Sequence, residues 1–588
     1  MSENFDDETE NETTEERLTR FYKIVENTVA TLFNKKEAFK TEEEKKQRKG
    51  NKIPKNIRIL MRKKTSTSKK ILKSNKAQNT LKLMLKLKDI EEELEVSYKA
   101  MRLKKEREAL GKIKRNPKYF YKYANKFSKI QNRVGPLINE KGESIKEPYL
   151  MAEVLRKQYE STFSKKDPHF NIEQLDDLFG GEEEGNEYED ARMKKGDDED
   201  EDEENSIGEA EEEEDELNEE ERKEREEEAN MRGPLPLYDA PFDYMDIVDA
   251  INQLSESSGP GPDGISAILL KKSKITVALM LKNIFQHSIE NSDIPSILKQ
   301  GFICPILKPN SRRDKAVSWR PVSLTSHVMK TMERVIRKRI VNHLEVNNLM
   351  NINQHGSRRN KSCLSQLLEH HDQILKMLEE GGNVDVVYTD FEKAYEKVSH
   401  EKLMEKMKTQ YNITGKMAKW LQDFFSKRTQ KVLIEEVTSE ESKVVSGAVQ
   451  GSVLGPVFFL MYIGDITDQV KADMKLFVDD AKVKKIVKSE DDVEELQEDL
   501  NTLYKWEKEN HMKLNGAKFQ LLRYGTDTEL KNNTVYFTGE MEEIIDQFSS
   551  LRDLGVRMSD DAKFDEHIEN VSKKVRQKIG WILRTFYT

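Results

Sequence analysis

The stretch Met474-Lys475-Leu476-Phe477-Val478-Asp479-Asp480-Ala481-Lys482-Val483-Lys484-Lys485-Ile486-Val487 places two acidic residues between two apolar runs. It predicts a β-hairpin with Asp479 and Asp480 at its tip. Paired Asp residues also occur at turns and helix starts, where they accept hydrogen bonds from backbone N–H groups. Held together in a partly buried site, however, they need a compensating cation, which points to a divalent metal and to chemistry on a phosphate. A second carboxylate upstream strengthens that reading: Val384-Asp385-Val386-Val387-Tyr388-Thr389-Asp390 is an apolar strand ending in Asp390. A strand-end Asp and a hairpin Asp pair can share one sheet face. Two Mg²⁺ ions about 3.5 to 4 Å apart, bridged by such carboxylates, would activate a 3′-hydroxyl and neutralise a leaving pyrophosphate.

Composition bounds the rest. The chain has 588 residues, too many for one ordinary domain, and 36% hydrophobic content, enough for a sizeable core in only part of it. The net charge of −10 conceals an uneven distribution. Residues 181–230 carry 28 Asp/Glu against 6 Lys/Arg, so the remainder of the chain is +12. Residues 41–120 alone carry 26 Lys/Arg against 10 Asp/Glu, an electrostatic footprint for nucleic acid. Cys304 and Cys363 are the only cysteines, which excludes a Cys-rich zinc site or a disulfide framework and fits a reducing compartment with two inert core thiols. No apolar run reaches membrane-spanning length and Met1–Glu16 is acidic, so a soluble intracellular protein is expected, with no membrane partner.

Along the chain, residues 1–16 read as an acidic disordered tail and 17–134 as a basic helical arm. In that arm Lys45-Lys46-Gln47-Arg48-Lys49 is either a solvated helix face or a nucleic-acid contact, and Tyr119-Phe120-Tyr121-Lys122-Tyr123 either core or a stacking platform. Residues 135–180 become globular, with Leu150, Met151, Val154, Leu155 and Tyr159 at helical spacing. Residues 181–232 are an acidic linker with too few apolar residues to fold; a plain solvated insertion and a site for a basic partner are its two readings. Between 233 and 530, helices are expected near 243–256, 276–291, 325–346, 362–380, 400–411, 415–427, 455–469 and 491–511. Strands are expected at 301–307, 384–390, 430–437, 443–447, 473–478 and 481–487. The mixed order predicts an α+β domain whose sheet carries the carboxylates.

An ordered series of motifs completes the picture: Gly259-Pro260-Gly261-Pro262-Asp263-Gly264-Ile265, Ile303-Cys304-Pro305-Ile306-Leu307-Lys308, Trp319-Arg320-Pro321-Val322-Ser323-Leu324-Thr325 and Gln354-His355-Gly356-Ser357-Arg358. Asp390-Phe391-Glu392-Lys393-Ala394-Tyr395, Gln450-Gly451-Ser452-Val453-Leu454-Gly455-Pro456, Phe477-Val478-Asp479-Asp480 and Asp553-Leu554-Gly555-Val556 follow. In this the chain, from about residue 110 onward, resembles the reverse transcriptase of a non-LTR (LINE-type, jockey-like) retrotransposon. The resemblance implies a right-hand polymerase of fingers and palm over 233–530, with palm end and the start of a thumb over 531–588. Against that family the thumb is expected to be truncated at Thr588 and the upstream endonuclease to be missing.

The resemblance also implies roles. Asp390, Asp479 and Asp480 hold the metals, Mg²⁺ with Mn²⁺ as a substitute, and Lys518 is a candidate general acid for pyrophosphate. Lys308 and Arg320 bind the incoming deoxynucleoside triphosphate, Arg through a fork suited to phosphate oxygens. Tyr395 is the aromatic gate against a ribose 2′-hydroxyl, its bland alternative being a core aromatic. Gln450 and Gly451 lie under the nascent pair, Gly because the backbone approaches closely, and Arg358 touches the template. Partners are then an RNA template and a DNA primer or target, and the location is nucleus and cytoplasm. Departures from the family pattern are Val449 for Pro, Ser357 for Phe, Glu396 for Asp and Ser399 for Pro; none removes a metal ligand. The rival reading is a catalytically silent nucleic-acid-binding remnant of such an element.

Overall fold

The computed structural model describes residues 12–33, 55–72, 85–90, 92–94, 96–98, 100, 134–139, 142–164, 237, 239–309, 311–449, 451–525, 534–539 and 543–586. The acidic tract 181–232, the run Lys45–Lys49, the aromatic cluster Tyr119–Tyr123 and Gln450 lie outside them. The chain forms two compact units, one of Met1–Phe21 and Val134–Asn570, the other of Tyr22–Arg133 and Val571–Thr588. In the second, helix Lys55–Leu72 buries Ile57 and Leu60 against Ile90 and Leu94, and leaves Arg58, Arg62, Lys63 and Lys64 exposed. That is an amphipathic helix with a cationic outer face.

The first unit holds the sheets. Besides two pairs of two-residue strands, its strands in chain order are β1 (Gln300–Leu307), β2 (Trp319–Thr325), β3 (Asn383–Thr389), β4 (Thr429–Ile434), β5 (Val437–Thr438), β6 (Ser442–Lys443), β7 (Asp473–Phe477), β8 (Asp480–Val487), β9 (Gln520–Tyr524), β10 (Asp546–Phe548), β11 (Ser550–Asp553) and β12 (Val556–Ser559). One five-stranded sheet has the order β10-β9-β3-β8-β7, antiparallel except for β9 and β10. The other runs β2-β1-β4-β5, with β6 also on β4; β1 and β4 are parallel. Helices and strands are mixed, as an α+β class requires.

Strand β3 is β-branched and buried along almost its whole length, yet it carries Asp385. The register explains this: Asp385 faces Arg523 of β9. Arg523 donates to both carboxylate oxygens at 2.8 and 2.9 Å, and the Tyr536 hydroxyl donates to Oδ2 at 2.7 Å. All three side chains are buried, so the charge is taken into the core only because its lone pairs are satisfied. Strand β8 does likewise with cations. Lys482 pairs with Asp553, and Lys484 reaches Gln373 Oε1 (2.7 Å) and Asp473 (3.0 Å), burial pushing its pKa down to about 8. On this face Ile374 of helix Cys363–Glu379 packs with Val384, Val386, Leu522, Tyr524, Leu551 and Met558.

Helix Pro148–Glu160 fills the core under the second sheet, its Met151, Ala152, Leu155 and Tyr159 packing with Ile303, Trp319, Val432 and Ile434. Strand β2 was not expected, because Pro321 argues against a sheet interior. The Lys308 N–H donates to the Ser318 carbonyl, so the pairs Ile306↔Arg320 and Cys304↔Val322 carry the ladder bonds, and Pro305 opposes Pro321 at the unbonded position between them. Neither proline removes a bond from this pair.

Other boundaries move for local reasons. The expected strand 430–437 turns at Glu435 (φ 59°) and splits into β4 and β5, and 443–447 contributes only β6. The expected helix 455–469 ends at Tyr462, followed by a single 3-10 turn, Ile466–Gln469. The tail expected to be disordered through residue 16 already enters helix Thr14–Phe33, because Thr13 and Glu16 form a reciprocal cap. Glu15 then accepts from the Ser296 N–H (2.8 Å) and Thr14 bonds His287 (2.8 Å). Of the two thiols expected in the core, Cys363 is exposed at the first turn of its helix and Cys304 is half-buried. No described helix is long and apolar enough to cross a membrane.

Replacing Asp385 by Asn should strand Arg523 in the core. We expect a loss of about 3–5 kcal/mol in urea unfolding, partly recovered when Arg523→Met is added.

Candidate active site

Pairing of Ala481 with Thr389 brings the end of β3 to the β7–β8 hairpin. Phe477 pairs with Asp480, which leaves Val478-Asp479 as a two-residue loop. Val478 adopts φ 58°, a left-handed backbone that β-branched residues rarely hold. Asp390 follows directly on β3. Segment 513–518 is stapled beside it: the Asn515 N–H donates to the Asp390 carbonyl (2.9 Å) and the Glu392 N–H to the Lys513 carbonyl (2.7 Å). This delivers Lys518, on the short turn Gly516–Lys518, to Asp390 Oδ2.

Three carboxylates therefore crowd one end of the sheet. Burial raises the pKa of Asp479, and the charge of Asp390 adds to it, opposed by Lys518 and Arg320. Asp480 is pushed up to about 6 by burial and by repulsion from Asp479, Asp390 and Asp553. Because the Asp480 side chain is exposed, the repulsion is the more telling cause. Asp390 Oδ1 is buried without a hydrogen-bond partner. Hard oxygen donors, mutual repulsion and an orphaned lone pair together fit a divalent cation. The side chains are within Coulombic reach of one another, but among the described residues no three His, Cys, Asp or Glu close a single coordination shell.

Of the expected nucleotide-binding residues, Lys308, Arg320 and Tyr395 lie within electrostatic reach of this cluster or of Lys518 beside it. Lys308 and Arg320 sit at adjoining ends of β1 and β2. Burial, then the Arg320 charge, lowers the pKa of Lys308; Lys393 and Lys518 act the same way and Glu396 opposes them. Such a concentration of positive charge suits a polyanion. Tyr395 stacks on Phe459 (4.8 Å between centroids, 15°), and burial with the nearby Asp479 charge pushes its hydroxyl up to about 12. Gly451 has φ 116°, and a Cβ there would fall on the Ser323 carbonyl oxygen, so only glycine lets this loop press against β2. Arg358 is turned elsewhere. Its guanidinium donates to the Asn351 carbonyl (2.7 Å) and lines a small cleft with Tyr411 and Met461.

One residue that the sequence did not mark shapes the same loop. Glu333, buried on helix His327–Val346, accepts from the N–H groups of Val453 (2.5 Å) and Leu454 (3.1 Å) at the start of helix Gly455–Tyr462. Burial raises its pKa. The Gly259–Gly264 motif braces the same helix: Ser326 caps Val328 and Met329 and donates to Asp263 (2.5 Å). A Cβ on Gly261 would strike the Ser326 backbone. Within an amphipathic helix, a glutamate at position 333 looks like any surface charge.

Residues 306–557, which include Asp390, Asp479, Asp480 and Lys518, match the family of reverse transcriptases (RNA-dependent DNA polymerases). They form a reverse-transcriptase domain similar to those of jockey-like, non-LTR elements. The probable RNA-directed DNA polymerase from transposon X-element of Drosophila melanogaster is 26% identical over 356 residues, 58% of this chain and 38% of that protein. The probable RNA-directed DNA polymerase from transposon BS of the same fly is 26% identical over 371 residues, 60% of this chain and 40% of that protein. The RNA-directed DNA polymerase from mobile element jockey of Drosophila funebris is 24% identical over 352 residues, 58% of this chain and 38% of that protein. The match thus spans about two fifths of the length of these relatives.

The backbone behind Tyr395 is pinned by His400, whose Nε2 donates to the Gly447 carbonyl (3.0 Å) and whose ring lies 4.6 Å from that of Phe425. Burial lowers its pKa to about 4. Between the unfolded value near 6.5 and 4 the unfolded chain binds the extra proton. This contribution to stability is therefore complete above pH 6.5 and is lost as pH falls toward 4, by at most about 3 kcal/mol. Urea midpoints at pH 7 and pH 4.5 should differ more in the parent than in His400→Gln.

Proposed function

We propose that this chain is an RNA-directed DNA polymerase that extends a DNA 3′-hydroxyl on an RNA template with deoxynucleoside triphosphates. The observation that carries the reading is the β3–β8 pairing, which sets Asp390 beside Asp479-Asp480 inside a reverse-transcriptase domain. Fingers correspond to the β2-β1-β4-β5 sheet with helix Pro148–Glu160, and the palm to the β10-β9-β3-β8-β7 sheet.

In this mechanism Asp390, Asp479 and Asp480 hold Mg²⁺, or Mn²⁺ in its place. Bound there, the metal would supply Lewis acidity at the primer hydroxyl and positive charge at the leaving group. Lys308 and Arg320 take the triphosphate oxygens, Arg320 through two parallel N–H bonds. Tyr395, held flat against Phe459, is the wall that a ribose 2′-hydroxyl would strike. Gln450 and Gly451 underlie the new base pair, and Arg358 reaches the template after releasing Asn351. Lys518, an ammonium already beside Asp390, gives its proton to the departing pyrophosphate. In the intact element a nicked chromosomal target supplies the primer, which requires work in the nucleus after synthesis in the cytoplasm. The acidic tract is left with either no partner or a basic one.

The test is Mg²⁺-dependent extension of oligo(dT) on poly(rA) at low salt, where phosphate contacts are strongest. The parent should synthesise DNA, and the Asp479→Asn, Asp480→Asn double variant should lose at least roughly 10³-fold in rate. Template binding without synthesis by the parent would instead identify a silent binding remnant.

A further inference from the structure

Val478 holds its left-handed backbone immediately before Asp479, and a β-branched residue keeps that conformation only where its surroundings over-determine it. Here one side chain meets both backbone polar groups of Val478. Gln354, 3% exposed, accepts from the Val478 N–H through Oε1 (2.8 Å) and donates through Nε2 to the Val478 carbonyl (3.3 Å). The same Oε1 accepts from the Gly356 N–H (2.7 Å). Two N–H donors converge on one end of the amide, so its orientation is fixed; the flipped amide would oppose donor to donor.

The clamp is itself rooted. Residues 353–355 run alongside the outer edge of β7, with the His355 N–H donating to the Leu476 carbonyl (2.9 Å) and the Leu476 N–H to that of Asn353 (3.0 Å). The His355 ring bonds Ser365 Oγ (3.1 Å) and lies 3.2 Å from the Glu369 carboxylate, both on helix Cys363–Glu379. Gly356 lets the strands meet, since a Cβ there would fall on the Val478 nitrogen. We propose that Gln354, with Gly356 as its seat, is the positioning residue of the catalytic turn: it grips both ends of the Val478 residue and thereby sets where Asp479 and Asp480 point. The catalytic consequence rests on the polymerase reading; the clamp itself does not.

Two variants loosen the turn by different routes. Gln354→Met keeps the length of the side chain and removes all three bonds, and Gly356→Ala pushes directly on Val478. Both should lower kcat by roughly 10–100-fold with KM for the nucleotide within about twofold of the parent and the melting temperature of Gln354→Met near that of the parent. Amide hydrogen exchange at Val478 in Gln354→Met should accelerate by at least roughly tenfold, with protection in β3 and β9 unchanged. A kcat within twofold of an active parent, or a raised KM at constant kcat, would overturn the positioning role. If the parent makes no DNA, the polymerase reading fails instead, and Val478 exchange still decides the clamp: unchanged exchange in Gln354→Met refutes it.

Discussion

The antiparallel pairing of β3 with β8 is the constraint on which the site depends. Side chains alternate along a strand, so a slip of one residue would turn Asp385 away from Arg523 and Lys482 away from Asp553 as it displaced Asp390 from the hairpin. The buried ion pairs therefore do more than neutralise charge. Each is costly in any other register, and together they leave one alignment of the sheet without an unpaired ion in the core. A satisfied and an unsatisfied carboxylate thus lie close along one segment: Asp385 is paired five residues before Asp390, whose Oδ1 has no partner.

Charge is layered around that alignment. Acidic groups occupy the hairpin end of the sheet, and burial together with the charges of Arg320, Lys393 and Lys518 lowers the pKa of Lys308 beside them. A surface that concentrates both signs is poorly satisfied by water alone. It fits a ligand that carries its own anionic chain and divalent counter-ions. Glu396 is half-buried, and burial raises its pKa against the charges of Lys308, Lys393 and Arg320, so this departure from the family pattern keeps a carboxyl group among the cations.

Much of this was legible in the sequence. The Asp-Asp pair between apolar runs gave the hairpin, the β-branched run gave β3, and amphipathic spacing located most helices of the central segment. What escaped did so for identifiable reasons. Strand β2 was hidden by Pro321, whose compatibility depends on which ladder positions are bonded. Strands β9 to β12 are short and take their definition from partners distant in sequence. Lys482 and Lys484 stand out as charges in an otherwise apolar run, and only their long-range partners explain why they lie inside. Glu333 was silent, and Gln354 stood out only as part of a motif without a role, because a buried polar side chain announces itself only through the backbone groups it meets. Among the expected site residues, Asp390, Asp479, Asp480, Lys518, Lys308, Arg320 and Tyr395 act on one another electrostatically, whereas Arg358 is occupied within its own loop.

Strand β2 lies at the rim of its sheet, and such a rim ordinarily offers a row of free donors and acceptors to any extended peptide that drifts past. Pro321 occupies a position whose nitrogen faces outward from the β1 pair, and it has no hydrogen to offer. The sheet is thereby closed to further strand addition at its midpoint. Self-association through this rim would build fibrous aggregates; the same proline that obscures the strand in the sequence guards against them.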